Sequence, residues 1–265
     1  MEESIKCNNC CAELKGAYCQ NCGEKAVSDN DFSVLSLIKL SFSTITNFDS
    51  KFFKTFRSLL FNPGHLANEF ISGKRKTYMQ PFQVFVLANL FFFFFLTNTD
   101  VFRNLSKWYF EEPALKNKVE TIVKENGISR NDLALLYDNQ SASLSKSAIA
   151  VIIPFMAGML LLLNFRKKYL FGKHLVFATH FLSFLLIFMV LLSFIFSVIP
   201  VSGRYFNQVP ILLAMIIYLG FSQKSFYKDR FWWATIKSIL GTIMILFAIL
   251  VYREVVSRIS LYLVT

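Results

Sequence analysis

The chain holds 265 residues, of which 54% are hydrophobic and only 17% charged, whereas soluble domains carry about 25% charged residues. Phenylalanine alone supplies 31 residues, and the mean hydropathy is +0.46. These values exclude a secreted disulfide scaffold, a disordered tail and an ordinary soluble enzyme, and they point to an all-α polytopic membrane protein.

The net charge of +11 would raise nucleic acid as a partner for a soluble chain. Here the basic residues sit beside apolar runs, so membrane orientation explains them better. Residues 1–30 are polar and lack the apolar core of a signal peptide, so the first span is expected to direct insertion itself.

Residues 1–31 form a polar head that contains all five cysteines. Cys7-Asn-Asn-Cys10, eight residues, then Cys19-Gln-Asn-Cys22 is the strongest chemical signal in the chain. Two Cys-x-x-Cys turns bring four thiolates into tetrahedral reach of one structural zinc ion. Four thiolates fill the coordination sphere and leave no open position for catalysis. Two disulfides or a redox dithiol are the rival readings, and a reducing cytoplasm argues against the first. Cys11 stands where a second glycine is expected and reads as a spare thiol. A head this small has almost no core, so metal binding supplies most of its folding free energy.

Residues 32–80 read as a membrane-proximal amphipathic segment. Phe48, Phe52, Phe56, Leu59 and Leu60 share a helical face, with Lys51, Lys54 and Arg57 elsewhere on the helix. This pattern suits a helix lying on an anionic leaflet. Pro63-Gly64 ends it, and a short helix through Glu69, Phe70 and Ile71 stops at Gly73. Lys74, Arg75 and Lys76 then precede the first span. They read as a topology signal or, with Lys51, Lys54 and Arg57, as a site for lipid phosphate or another anion.

From residue 81 to 265 five spans are expected, at about 81–98, 148–164, 175–199, 205–222 and 235–252. The fourth is short and is either a span or a re-entrant segment. Ten Lys and Arg precede residue 81, and Arg166, Lys167, Lys168, Lys173, Lys224, Lys228 and Arg230 crowd two later connections. The positive-inside rule then places the N-terminus in the cytoplasm and the C-terminus outside. The connection 99–147 is expected to be an outer helical one. Pro113 opens a helix and Gly127 ends it, and Ser129 with Asp132 has capping-box spacing. Tyr78, Trp108, Tyr109, Tyr169, Tyr205, Tyr227, Trp232, Trp233 and Tyr252 fall near run ends, as an interfacial belt does. Within the spans, Asn89 and His180 are expected to hydrogen-bond between helices, and Pro154 to kink its helix. His65 and His174 have no metal partner in the pattern.

The head is followed by Asp49, Phe52, Thr55, Leu59, Pro63-Gly64, Glu69-Phe70-Ile71, Gly73-Lys74-Arg75, Tyr78 and Pro81. This order resembles the uncharacterised bacterial zinc-ribbon membrane proteins known as domain of unknown function 3667, over roughly Cys7 to Phe95. Family members typically carry glycine where this chain has Cys11. The resemblance implies a multi-span inner-membrane protein and no particular activity. With no catalytic constellation in view, the residues suggest a non-enzymatic adaptor or scaffold. Its cytosolic ribbon and basic helix would bind a protein partner or lipid headgroups. A small transporter or permease is the alternative, although deep carboxylates and internal repeats are missing from the pattern. Lys6, Lys15 and Lys25 are too few for a nucleic-acid groove.

Overall fold

The computed structural model describes residues 6–14, 16–26, 29–37, 51–96, 101–198 and 204–265, with the backbone alone for 29–30, 198 and 204–207. The chain is all-helical among these residues apart from two isolated antiparallel bridges in the cysteine head. Phe48, Asp49 and the expected span ends at 97–98 and 199 lie outside them.

Two short helices, α1 (Phe52–Phe61) and α2 (His65–Ile71), follow the head. The first apolar helix, α3, covers Pro81–Phe95, with proline in its first turn. Pro113–Asn126 forms α4 and Arg130–Ala148 forms α5. Pro113 opens α4, Gly127 caps it with a left-handed φ of 63°, and the Ser129 hydroxyl accepts from the Asp132 amide to cap α5. These are the signals expected from the residues. Then come α6 (Ile152–Leu163), α7 (Phe171–Val198), α8 (Arg204–Ser225) and α9 (Phe231–Leu263).

Three stretches are long and apolar enough to cross a membrane: Arg130–Leu163, Phe171–Ser197 and Phe231–Leu263. The shorter α3 is apolar as well. α5 and α6 join through the 3-10 turn Ile149–Val151. That turn falls where Pro154 removes a helical N–H donor, so the irregularity has a local cause. α8 is one continuous helix of 22 residues, about 33 Å long. α9 runs 33 residues, about 50 Å, well past the expected end at 252.

α7 is the central pillar, with α3 and α6 against its sides and α1, α2 and α8 also touching it. Its most apolar stretch is 72% buried, against 33% for α5–α6 and for α9. A helix hydrophobic all round has to be covered on most sides, and α7 is along most of its length, with Leu191, Phe194 and Ile195 exposed near its end. The outer helices instead expose apolar ridges at helical spacing: Leu213, Ile217 and Phe221 on α8, and Ile239, Ile243, Phe247 and Leu250 on α9. A continuous exposed apolar surface of this kind is what lipid covers.

The bundle has two ends. The starts of α3, α7 and α9 and the ends of α6 and α8 lie at the end that carries the cysteine head. Asn68 Nδ2 donates to the Ser225 carbonyl there, and Asp229 pairs with Lys167 and Lys237 at 2.8 and 2.6 Å. At the opposite end α4, α5 and the last turns of α9 build a second core around Tyr109, Tyr137, Leu133 and Leu261. Buried Arg103 fastens it, donating to the Asp138 carbonyl and to the Ser141 hydroxyl. Asp138 also accepts from the Ser106 amide and hydroxyl.

The tryptophans fit the expected belt: Trp108, Trp232 and Trp233 are all exposed near helix ends. Several tyrosines do not, because Tyr109, Tyr227 and Tyr252 are buried inside the protein. Tyr252 donates to the Ser145 carbonyl, and the Tyr227 hydroxyl meets buried His174 Nδ1 at 2.7 Å. Asn89 makes the expected interhelical bond, to the Lys146 carbonyl, at 3.5 Å. His180 does not; its Nδ1 donates to Val176 one turn back in its own helix.

Candidate metal centre and its seat on the bundle

The head is a pair of matched turns offset by twelve residues. The Cys7 amide donates to Ala12 and the Cys11 amide to Cys7. In the same way the Cys19 amide donates to Glu24 and the Gly23 amide to Cys19. Lys6 bridges Glu13 as Tyr18 bridges Lys25. Each turn closes on a left-handed residue, Cys11 at φ 59° and Gly23 at φ 64°. Cys11 therefore occupies a glycine position in a glycine conformation, and carries a side chain there at a steric cost.

The turns bring Cys7, Cys10, Cys19 and Cys22 together, with all four sulfurs within 4.8 Å of one another. Cys7 and Cys22 stand 3.6 Å apart, Cys10 and Cys19 3.5 Å. A tetrahedral ion with about 2.3 Å metal–sulfur bonds has sulfur–sulfur edges of about 3.8 Å, close to this spacing. The donor set therefore fits one metal ion. Cys11 is exposed and outside the cluster.

The surroundings favour thiolate at two of the four positions. The Asn9 side chain, with the Glu24 amide, draws the Cys22 thiol down to about 6. Cys19 is lowered too, first by the Cys22 amide. Cys10 runs the other way: the Ala12 amide pulls it down, but burial and the neighbouring Cys19 and Cys22 thiols push it up to about 11. A cation at the centre reverses that last shift, since a coordinating thiol loses its proton outright.

One face of the head is seated on the bundle, and the seat is the turn between α2 and α3. Asn8 Nδ2 donates to the Ser72 carbonyl at 2.8 Å, and the Thr77 hydroxyl donates to Asn9 Oδ1 at 2.9 Å. The Lys76 amide donates to buried Glu24, and its Nζ donates to the Cys22 carbonyl. A β-carbon on Gly23 would lie 2.7 Å from that Nζ, so the close approach, like the positive φ, requires glycine. Asp31 completes the clasp, 2.7 Å from Lys25 and 3.6 Å from Arg75.

The six basic residues singled out in the sequence thus divide. Lys74 pairs with Glu69 at 3.1 Å, Arg75 is 9% exposed between the Phe32 and Phe70 rings, and Lys76 holds the head. Lys51 opens α1, Lys54 lies over the Tyr78 ring, and Arg57 is exposed. The apolar face of α1 turns inward, with Leu59 fully buried and Phe56 packed on the core, so protein covers the face expected to meet lipid. Phe53 and Phe61 point outward instead.

The seating residues Asn8, Asn9, Glu24, Asp31 and Thr77 carry no signal in a reading for metal ligands. Superposing the two turns is the one clue. Asn8-Asn9 in the first turn corresponds to Gln20-Asn21 in the second, and only the first pair is engaged with the bundle. Gln20, Asn21 and Tyr18 are exposed.

Residues 49–93 match the model of a family described as "Protein of unknown function (DUF3667)". The match covers α1, α2, the seating turn and nearly all of α3, and it agrees with the resemblance read from the residues. No curated protein and no solved structure matches the chain.

Proposed function

We propose that the protein is a non-enzymatic membrane scaffold, in which a zinc-stabilised cytosolic ribbon is held rigidly on the membrane bundle to present its second turn to a protein partner. The observation that carries this reading is the asymmetry of two otherwise matched turns. The Asn8 and Asn9 side chains at the tip of the first turn are fastened to the bundle; the second turn is held there only at its base, through the Cys22 carbonyl and Glu24, and its tip, Gln20-Asn21, is presented outward with Tyr18 beside it. Zinc suits a four-thiolate site in a reducing compartment, because it is redox-inert and takes tetrahedral sulfur. The cytoplasmic side follows from charge. The seating turn, the 164–170 connection and the 226–230 connection share one end of the bundle, and the basic residues gather there. Five passes then leave the C-terminus outside, in the inner membrane of a bacterium as the family resemblance implies.

A photo-crosslinking residue at Gln20 in the full chain, in native membranes, tests the reading. The expected result is a discrete crosslinked partner that is lost when Cys19→Ser removes the metal ligand, and is missing when the probe replaces Glu120 at the opposite end. A Gln20 pattern that survives Cys19→Ser unchanged, or that matches the Glu120 pattern, contradicts it.

A further inference from the structure

A cleft of about 390 Å³ opens beside the seating turn, inside the range of about 300–1,000 Å³ typical of small-molecule sites. Val34, Phe70, Pro81, Ile153, Phe171 and Thr179 line it, and its walls are almost wholly apolar. It follows the first nine residues of α7, from Phe171 to Thr179, which is a depth of about 12 Å. One end of the cleft therefore lies at the basic end of the bundle, and the other lies among the apolar helices.

Arg75 adjoins two of the lining residues, Phe70 and Gln80. Its guanidinium packs 5.0 Å from the ring of Phe70, which forms a wall of the cleft. Gln80, another lining residue, donates to its backbone carbonyl. The side chain is 9% exposed, and Asp31 stands 3.6 Å from Nη1. Nε and Nη2 are buried with no acceptor. Leaving charged donors buried and unpaired costs several kcal/mol, so this edge of the guanidinium calls for an anion. Lys173 adds a second cation, 5.2 Å from the Phe32 ring on which Arg75 also stacks. An apolar slot with buried positive charge beside it matches an amphiphile, with its acid group outward and its chain inward. A free inorganic anion satisfies Arg75 but leaves the apolar walls uncovered.

We propose that this cleft binds one anionic lipid, its acyl chain between α3, α6 and α7 and its phosphate on the Nε–Nη2 edge of Arg75. The site is separate from the outward turn of the ribbon and does not depend on the scaffold reading.

The test uses the full chain in mild detergent, with native mass spectrometry and thermal unfolding as readouts. The probes are phosphatidylglycerol, phosphatidylcholine with the same chains, and inorganic phosphate. Phosphatidylglycerol is expected to bind one molecule per chain, at least tenfold more tightly than phosphatidylcholine, and to raise Tm. Millimolar phosphate is expected to leave Tm unchanged. Arg75→Gln should abolish the headgroup preference while lipid is still taken up. Because Arg75 also meets the ribbon, a second variant is needed away from it. Ala150→Phe fills the cleft and should lose both lipids, with metal content and helicity retained. Equal affinity for the two lipids in the unaltered chain, full phosphatidylglycerol binding in Ala150→Phe, or stabilisation by phosphate alone to the same extent would each overturn the proposal.

Discussion

Gly172→Ala is expected to destabilise the protein, although helix propensity favours the change by about 1 kcal/mol. Gly172 lies in the first turn of α7, and a β-carbon there would overlap the Phe32 carbonyl oxygen and stand 2.7 Å from the carbonyl carbon. The obstacle is backbone, which no rotamer change can clear. The segment carrying Phe32 must therefore move off α7. Phe32 is 3% exposed, and its release forfeits about 1.5–3 kcal/mol of burial. The cations over its ring, Arg75 at 5.6 Å and Lys173 at 5.2 Å, contribute about 0.5–1 kcal/mol each. After the propensity gain is subtracted, about 2 kcal/mol of ribbon docking is lost, and the undocked fraction rises about thirtyfold. Hydrogen exchange followed by mass spectrometry reads this directly on the full chain. Peptides covering residues 19–32 and 72–80 should exchange about thirtyfold faster, while peptides from the opposite end stay unchanged. Unchanged or slower exchange near Phe32 would refute the reasoning.

Three further outcomes follow. Cys11→Gly relieves a left-handed non-glycine residue and should stabilise the ribbon by about 1 kcal/mol, whereas Cys11→Val should weaken it by a similar amount; competition with a chelator measures both. Arg103→Met strips Asp138 of its buried partner and should cost about 2–4 kcal/mol, seen as a lower Tm and faster proteolysis between residues 104 and 130. Trp232 and Trp233, exposed at the start of α9, should be quenched more strongly by nitroxides near the lipid headgroup than by nitroxides deep in the acyl chain, once Trp108 is replaced by Phe; the reverse order would remove them from the interface.

What the sequence made legible was chemistry with fixed spacing. The paired cysteine turns, Pro113, Gly127 and the Ser129 cap act through local geometry, so their residues suffice. The long apolar runs were equally plain, because lipid and protein interior both demand them. Helix ends were harder. Arg253, Glu254 and Arg258 interrupt the last apolar run, yet α9 continues because Leu261 closes the second core. The buried tyrosines defeated the belt reading for a related cause: a ring with a polar tip suits a protein interior, where Tyr252 finds a carbonyl and Tyr227 a histidine, as well as it suits a membrane surface. Lys74, Arg75 and Lys76 were visible as charge, but their use was not. Clasping Asp31 and Cys22 depends on contacts across about fifty residues, and no periodicity encodes them.

Cys7, Cys10, Cys19 and Cys22 form a donor set for a single metal ion, and elemental analysis of the purified full chain tests this most directly. One four-thiolate site predicts about one zinc per chain, kept in Cys11→Ser and lost in Cys19→Ser. Full metal retention in Cys19→Ser, or a metal-free chain with its four cysteines joined as disulfides, would contradict it.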